Sequence, residues 1–148
     1  MTKTAPVQTL LDLSQLRLDQ ATRTLGSLIS GEQAAADQRK VLVEYRAEYH
    51  ARFMAAAQNG IDRDSWRNYQ AFLDRLDASI ANAEEAVRQS RQRKSVGQQE
   101  WLGKKERLRA FDTLAHRHHV REQKAALSVE QKSQDEMAAQ PRDSGARK

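Results

Sequence analysis

Three histidines stand close together in the run His116-Arg117-His118-His119. His116 and His119 are three positions apart, so they share one face if this stretch is helical. Two imidazoles on an arginine-rich helix give an incomplete metal site, because a protein zinc site needs further ligands. We interpret the run as the polar, solvated end of a helix, and we predict neither a bound metal nor a cofactor.

Two basic runs could bind phosphate or carboxylate groups. Residues 88–94 read RQSRQRK, and the second run contains Lys104, Lys105, Arg107 and Arg109. Neither run carries interleaved aromatic side chains on which bases could stack, and the chain has no recognisable nucleic-acid-binding motif. An exposed helix face is the ordinary explanation of such runs. If they bind a partner, the pattern favours an acidic protein over nucleic acid.

No catalytic signature accompanies these residues. The chain lacks the glycine-rich loops that bind phosphates and dinucleotides, the H-E-x-x-H zinc helix and the G-x-S-x-G nucleophile turn. It has no cysteine, which excludes disulfides and thiolate metal sites and fits a reducing compartment. We therefore predict a protein that is not an enzyme.

Composition favours long helices over a layered core. Good helix formers are frequent, and no proline interrupts the chain between Pro6 and Pro141. Residues 1–87 carry 10 basic and 12 acidic side chains, whereas residues 88–132 carry 12 basic and 5 acidic ones. No segment approaches the ~20 apolar residues of a membrane span. We predict a cytoplasmic protein whose second half attracts an acidic partner.

The elements that carry these residues follow from a heptad repeat. Stepping by three and four from Leu11 to Ala56 gives fourteen positions, of which ten are apolar. Such an a/d stripe is typical of helices that pack on one another in a coiled coil. A second stripe begins at Trp66, fades over residues 90–97 and resumes at Trp101. Its first positions are Trp66, Tyr69, Leu73, Leu76, Ile80, Ala83 and Val87.

A short turn connects the two stripes. Asn59 and Gly60 accept the left-handed backbone that ends a helix, and Asp62 is a good N-cap for the next one. So short a connection makes the two helices antiparallel neighbours. We predict an all-α fold over residues 1–148, a single α-hairpin domain built as an antiparallel two-helix coiled coil. Its parts are helix 1 at about 5–57, the turn at 58–63, helix 2 at about 63–135 and a frayed tail at 136–148.

Six of the eight aromatic residues flank this turn: Tyr45, Tyr49, Phe53, Trp66, Tyr69 and Phe72. Folding the chain there brings Phe53 near Trp66 and Tyr69. Residues 25–32 then fall opposite residues 90–99, at a level where both helices contain glycine. The helices are either closely packed or loose at that level.

Phe72 comes one position before Leu73 of the second stripe, so we expect it to be partly exposed. With Leu76, Ser79 and Ala83 it forms a row at spacings of four, three and four along one edge of helix 2. An exposed aromatic on a thin hairpin is either ordinary flanking packing or part of a binding surface.

Four pieces of the chain together resemble the flagellar FliJ family, the small coiled-coil component of the flagellar type III export apparatus. They are LLDL near the start, VEYRAEY at 43–49, NGID followed by W-x-N-Y-Q-x-F at 66–72, and W-x-x-K-K-x-R-L at 101–108. Their order and spacing also match the family.

The resemblance implies a fold similar to the central stalk subunit of rotary ATPases. It implies that the open end, which holds both termini, enters the hexameric ring of the export ATPase and promotes its assembly and activity. From their charge, we expect four basic residues to meet acidic groups of that ring. These are Lys104, Lys105, Arg107 and Arg109.

The resemblance also implies contacts with the large membrane protein of the export gate and with export chaperones, at the cytoplasmic face of the inner membrane at the flagellar base. In the family, an exposed row on helix 2 contacts the gate protein. Its positions correspond here to Phe72, Leu76, Ser79 and Ala83. Family members can carry a histidine where this chain has Ala83, which affects the polar part of the contact.

Two other classes of function stay open from the sequence. The basic second half would suit a nucleic-acid-binding coiled coil, whose affinity would fall steeply with salt. The heptads would suit a self-assembling coiled coil in which the hairpin opens into a dimer. The polar a/d residues Glu32, Arg39 and Arg46 argue against a featureless self-pairing stripe, and we expect a monomer.

Overall fold

The computed structural model describes residues 4–140. Helix α1 is Thr4–Ala56, a 3-10 turn follows at Ala57–Asn59, and helix α2 is Arg63–Ala139. The described residues contain no strand. The predicted all-α fold of two helices packed on each other is confirmed. Helix α2 continues past its predicted end, and residues 141–148 of the predicted tail lie outside the described residues.

The chain divides into two compact units. One is Asp19–Gly103, which contains the turn and which we call the hairpin unit. The other combines Met1–Leu18 with Lys104–Lys148, and we call it the terminal unit. Both contain parts of α1 and α2, because each helix continues through both units. The single-domain organisation of residues 1–148 stays a prediction.

The core of the hairpin unit is one row of α2. Its buried apolar side chains are at most 9% exposed: Tyr69, Leu73, Leu76, Ala83 and Val87. Together with the half-buried Ile80 they recur every three or four residues and therefore form one stripe that faces α1. We call the two facing stripes of α1 and α2 the seam. Removing this stripe from water supplies the main favourable contribution to helix pairing.

The α1 side of the seam is less apolar. Of its fourteen predicted positions, twelve are buried or half-buried, and only Arg39 and Ala56 are exposed. Ala57 replaces Ala56 in the seam because the chain tightens into the 3-10 turn at that residue. Glu32, Arg39 and Arg46 interrupt the apolar positions, and each contacts an opposite charge on α2.

The turn depends on Gly60. Its φ is +93°, which residues with a Cβ rarely adopt, and its N–H donates to the carbonyl oxygen of Ala57 at 3.0 Å. Asn59 does not share the positive φ. Asp62 caps α2, as predicted, because its carboxylate accepts hydrogen bonds from the hydroxyl and the backbone N–H of Ser65. The hydroxyl contact lowers the pKa of Asp62 below its ordinary value.

Aromatic rings stack where the two helices meet the turn. Phe53 lies flat on Tyr69, with ring centroids 3.7 Å apart and planes 6° apart. Trp66 lies 6.0 Å from Phe53 and 5.8 Å from Tyr69 by the same measure. The predicted neighbours of Phe53 are therefore confirmed, and Tyr69 at their centre is only 2% exposed.

The helices are closely packed at the level that the sequence left undecided. Leu28 lies over Gly97, where a Cβ built on the glycine would be 2.5 Å from Leu28 Cδ1. Lys94 Nζ lies 2.6 Å from Glu32 Oε2 at the same level. The predicted opposition of residues 25–32 and 90–99 is confirmed. Only the glycine of α2 makes a close approach, because the two α1 glycines have open space around them.

The terminal unit has a thinner seam. Leu11, Leu18 and Leu108 are half-buried, and Ser14, at 4% exposed, is the single buried residue among the described residues of this unit. Every residue of α2 from 121 onward to the end of the described chain is exposed. Apolar burial therefore contributes much less to this unit than to the hairpin unit.

Candidate interaction surfaces

The predicted gate-binding row does not lie on one exposed edge. Leu76 and Ala83 are 8% and 9% exposed and belong to the stripe that faces α1. Their predicted place in the second stripe is confirmed, and the exposure that the family row implied for them is wrong, because their three- and four-residue spacing is that of the seam itself. Phe72 is half-buried and Ser79 is exposed. These two residues each precede a seam residue by one position and lie seven apart, so they share one flank of α2.

A tyrosine that was not predicted to be part of the row accompanies Phe72. Tyr45 is 45% exposed, and its ring meets Phe72 edge-on with centroids 6.2 Å apart. Tyr49 lies in the seam and supports Phe72 at a centroid separation of 4.4 Å. The sequence carried a signal for Tyr45, which precedes the seam residue Arg46 by one position. We call Tyr45, Phe72 and Ser79 the aromatic flank.

The four basic residues predicted to meet the ATPase ring point in different directions. Lys105 and Arg109 are one helical turn apart and line the same groove of about 580 Å³ in the terminal unit. Arg107 is two residues from each, which places it on another side of the helix, where it is exposed. Lys104 is half-buried at seam spacing. The structure thus brings together two of the four.

The groove beside Lys105 and Arg109, which we call the basic groove, has a mixed lining. Leucines of both helices line it together with acidic and amide side chains and the two basic residues. The other lining residues are Leu11, Asp12, Gln15, Leu18, Leu108 and Asp112. This combination can accept a partner segment that carries both an apolar and an acidic side chain.

The first basic run makes ion pairs within the chain. Arg88 Nη2 lies 2.6 Å from Glu85 Oε1, and this hydrogen-bonded contact raises the pKa of Arg88 and lowers the pKa of Glu85. Lys94 and Arg91 both contact Glu32, at 2.6 Å and 3.7 Å. Carboxylates of the chain therefore offset the charges of Arg88, Arg91 and Lys94.

The three histidines of the run all line one open groove beside Asp112. His118 also lies at seam spacing, and its Nε2 is 3.3 Å from Glu122 Oε1. Within residues 4–140, no group of three or more His, Asp or Glu side chains is placed to hold a metal ion. The arrangement is that of a polar helix surface.

Two long helices packed antiparallel define the class of two-helix coiled-coil proteins. In the described part of the chain, no helix is both long enough and apolar enough to cross a membrane. The family model described as "Flagellar FliJ protein" matches residues 2–142. The chain belongs to the flagellar FliJ family, as the four resembling pieces predicted, and is thus a flagellar component.

Individual relatives cover the same length. The flagellar FliJ protein of Salmonella typhi is 33% identical over 138 residues, which are 93% of this chain and 94% of the relative. That of Escherichia coli (strain K12) is 32% identical over 138 residues, with the same shares. The similarity therefore extends through both the hairpin unit and the terminal unit.

Proposed function

We propose that the chain is a non-enzymatic component of the flagellar type III export apparatus. It acts as a stalk that enters the ring of the export ATPase and promotes the activity of that ring, contacts the export gate at the cytoplasmic face of the inner membrane, and escorts export chaperones. The observation that carries the proposal is the family match over residues 2–142. The presence of a different candidate surface in each unit supports a protein with more than one partner.

The aromatic flank is the proposed contact with the export gate. Tyr45 offers an exposed ring, and Phe72 is held against it by Tyr49, so the two rings form a preordered apolar contact. Aromatic side chains of limited mobility are frequent anchors of protein interfaces, and truncating one costs about 1–4 kcal/mol of binding. Leu76 and Ala83 support this flank from within the seam and do not touch the partner directly.

The gate contact can be tested without disturbing the seam. Ser79→Arg adds a bulky charge to the flank at an exposed position, and Ala78→Arg makes the matched change on the neighbouring exposed residue that lies outside the flank. We expect Ser79→Arg to weaken binding to the cytoplasmic part of the gate protein and Ala78→Arg to leave it unchanged. Thermal unfolding should be the same for both variants. Equal binding by both would contradict the assignment of the flank.

The basic groove is the proposed contact with the ATPase ring. Lys105 and Arg109 line the groove together with half-buried leucines, so a partner carboxylate can pair with them while an apolar neighbour packs on the leucines. Charge pairing at an exposed surface mainly steers association and weakens as salt rises. Arg107 and Lys104 lie on other sides of α2 and contribute to the positive electrostatic field around the helix.

The ring contact is tested by reversing charge on the two sides of the helix. Lys105→Glu with Arg109→Glu changes the groove, and Arg107→Glu changes the other side. We expect the double variant to lose stimulation of the ATPase and its salt dependence, whereas Arg107→Glu keeps most of both. Helicity and gate binding should be unaffected. If the groove variant stimulated the ATPase like the unmodified chain, this assignment would fail while the gate contact could still stand.

A further inference from the structure

Ion pairs repeat along the hairpin unit at seven-residue intervals on both helices. Arg46 Nε lies 2.5 Å from Asp77 Oδ1, and Arg46 Nη2 lies 3.4 Å from Asp77 Oδ2. Seven residues away on each helix, Arg39 Nε lies 3.5 Å from Glu84 Oε1. The two pairs have the same polarity, with the base on α1 and the acid on α2.

The third pair reverses that polarity. Glu32, seven residues before Arg39, lies 3.7 Å from Arg91, seven residues after Glu84. Lys94 strengthens the reversed pair, with its Nζ 2.6 Å from Glu32. We call the three pairs the ladder. Its order of signs along α1 is acid, base, base, and along α2 it is acid, acid, base.

The α1 members of the ladder occupy the seam itself. Glu32, Arg39 and Arg46 are consecutive a positions of the heptad, where leucine would bury more apolar surface. Their side chains keep 21%, 46% and 38% of their surface exposed. Ion pairs with this much exposure add little stability. The charges are therefore better explained by the wrong helix pairings that they prevent than by the stability that they add to the correct pairing.

Sliding one helix past the other by a heptad brings like charges together. A slip in one direction places Arg39 opposite Arg91, and a slip in the other places Glu32 opposite Glu84. A ladder of uniform polarity would keep two attractive pairs after either slip. With one reversed pair, each slip keeps a single attractive pair and creates a repulsive one, so only the observed register satisfies all charges.

The same residues oppose pairing of α1 with a second α1. In a parallel pair of identical helices, each a position faces its own copy. Glu32, Arg39 and Arg46 would then each meet a like charge at the centre of the interface. Helix α2, which carries the complementary signs one position beyond its seam residues, is the partner that these charges accept, and the short turn supplies it from the same chain.

We propose that the ladder is a register code: it selects α2 in one alignment as the partner of α1 and keeps the chain from self-associating, in exchange for a less stable seam. The single buried polar position that fixes register and oligomeric state in coiled coils acts on the same principle. Here the information is divided among three pairs and includes their polarity. This inference concerns helix pairing and does not depend on the proposed function.

A charge-swap series on the middle pair tests the pairing. Arg39→Glu and Glu84→Arg each create a like-charge pair and should lower the thermal unfolding midpoint by roughly 2–4 °C. The double variant restores an attractive pair with exchanged signs, and it also preserves the penalty for either slip. We expect its midpoint to return to that of the unmodified chain. A double variant no better than the worse single variant would overturn the code.

A leucine series tests the specificity. Glu32→Leu/Arg39→Leu/Arg46→Leu removes the code and makes the seam apolar, and Glu32→Asp/Arg39→Lys/Arg46→Lys is its control because it keeps every sign. The leucine variant should unfold at a higher temperature, yet sediment as a mixture of monomer and larger species. The control should remain monomeric.

Register is read from a distance between labels on the two helices. The chain has no cysteine, so Val43→Cys and Gln89→Cys provide two exposed attachment points outside the ladder. The unmodified ladder and its sign-conserving control should each give a single distance. In the leucine variant we expect added populations, since a one-heptad slip moves one label along the axis by about 10 Å. A monomeric leucine variant with the single original distance would overturn the proposal.

Discussion

Gly97→Ala is expected to stabilise the hairpin unit by much less than the higher helix propensity of alanine would give. In an open helical position this change gains about 1 kcal/mol. At Gly97 the new Cβ would lie 2.5 Å from Leu28 Cδ1, closer than carbon atoms tolerate. Overfilling a packed site costs about 1–3 kcal/mol. Because Leu28 Cδ1 is the end of a flexible side chain, the cost lies at the lower end of that range, and we expect it nearly to cancel the gain in helix propensity.

The matched control is Gly103→Ala, on the same helix and with no neighbouring atom within 4 Å of the place that its Cβ would occupy. Its free energy of unfolding should rise by about 1 kcal/mol, the full difference in helix propensity between glycine and alanine. Chemical denaturation of the full chain measures both variants, and the difference between them isolates the contact with Leu28. In a chain of this size each 1 kcal/mol corresponds to about 2–4 °C in the unfolding midpoint.

A second background identifies the atom responsible. Leu28→Ala removes the methyl group that the new Cβ would meet, so adding Gly97→Ala in that background should recover the gain seen in the control. Such a dependence of one substitution on another is the mark of a direct contact. Equal stabilisation by Gly97→Ala and Gly103→Ala in the unmodified chain would refute the close approach of Leu28 to Gly97.

Three further substitutions test other parts of the fold. Asp62→Ala should lower the unfolding midpoint at neutral pH. The folded pKa of Asp62 lies below its unfolded value, so the stabilisation by the carboxylate is present above the unfolded pKa and is lost as pH falls through the folded pKa. The unfolding midpoints of the variant and of the unmodified chain should therefore converge in acid. A constant difference down to strong acid would disprove the charged cap. Phe53→Ala should cost about 2–3 kcal/mol by removing the ring stacked on Tyr69, measured by denaturation. A loss below about 1 kcal/mol would contradict that packing. Leu127→Gln should change stability by less than about 0.5 kcal/mol, because that side chain is 64% exposed; a larger loss would show that the end of α2 is covered.

The fold was predictable because its information is local and periodic. The stripe from Leu11 to Phe53 gives the face of α1, and Gly60 and Asp62 mark the end of one helix and the start of the next by well-understood backbone preferences. Once the turn was located, antiparallel pairing gave the neighbours of Phe53 without further information.

The candidate surfaces were less predictable, because a one-position difference decides whether a side chain is buried. Leu76 and Ala83 belong both to the second stripe and to the row that the resemblance implies, and the structure places them in the seam. Tyr45 was predicted among the aromatics beside the turn but not as part of the row, because the row was drawn along α2 alone and the contact of Tyr45 with Phe72 joins the two helices. The close approach at Gly97 depends on how far Leu28 reaches, which a helical periodicity does not specify.

The thin seam of the terminal unit has a calorimetric consequence. Its leucines sit half-covered on helices that are already formed, and its single buried described residue is Ser14. A partner that closes over them removes apolar surface from water without first having to fold the chain. Such burial makes the heat capacity change of association negative, in proportion to the apolar area covered. Binding through the terminal unit should therefore become more exothermic with rising temperature, and more steeply than binding through the small aromatic flank.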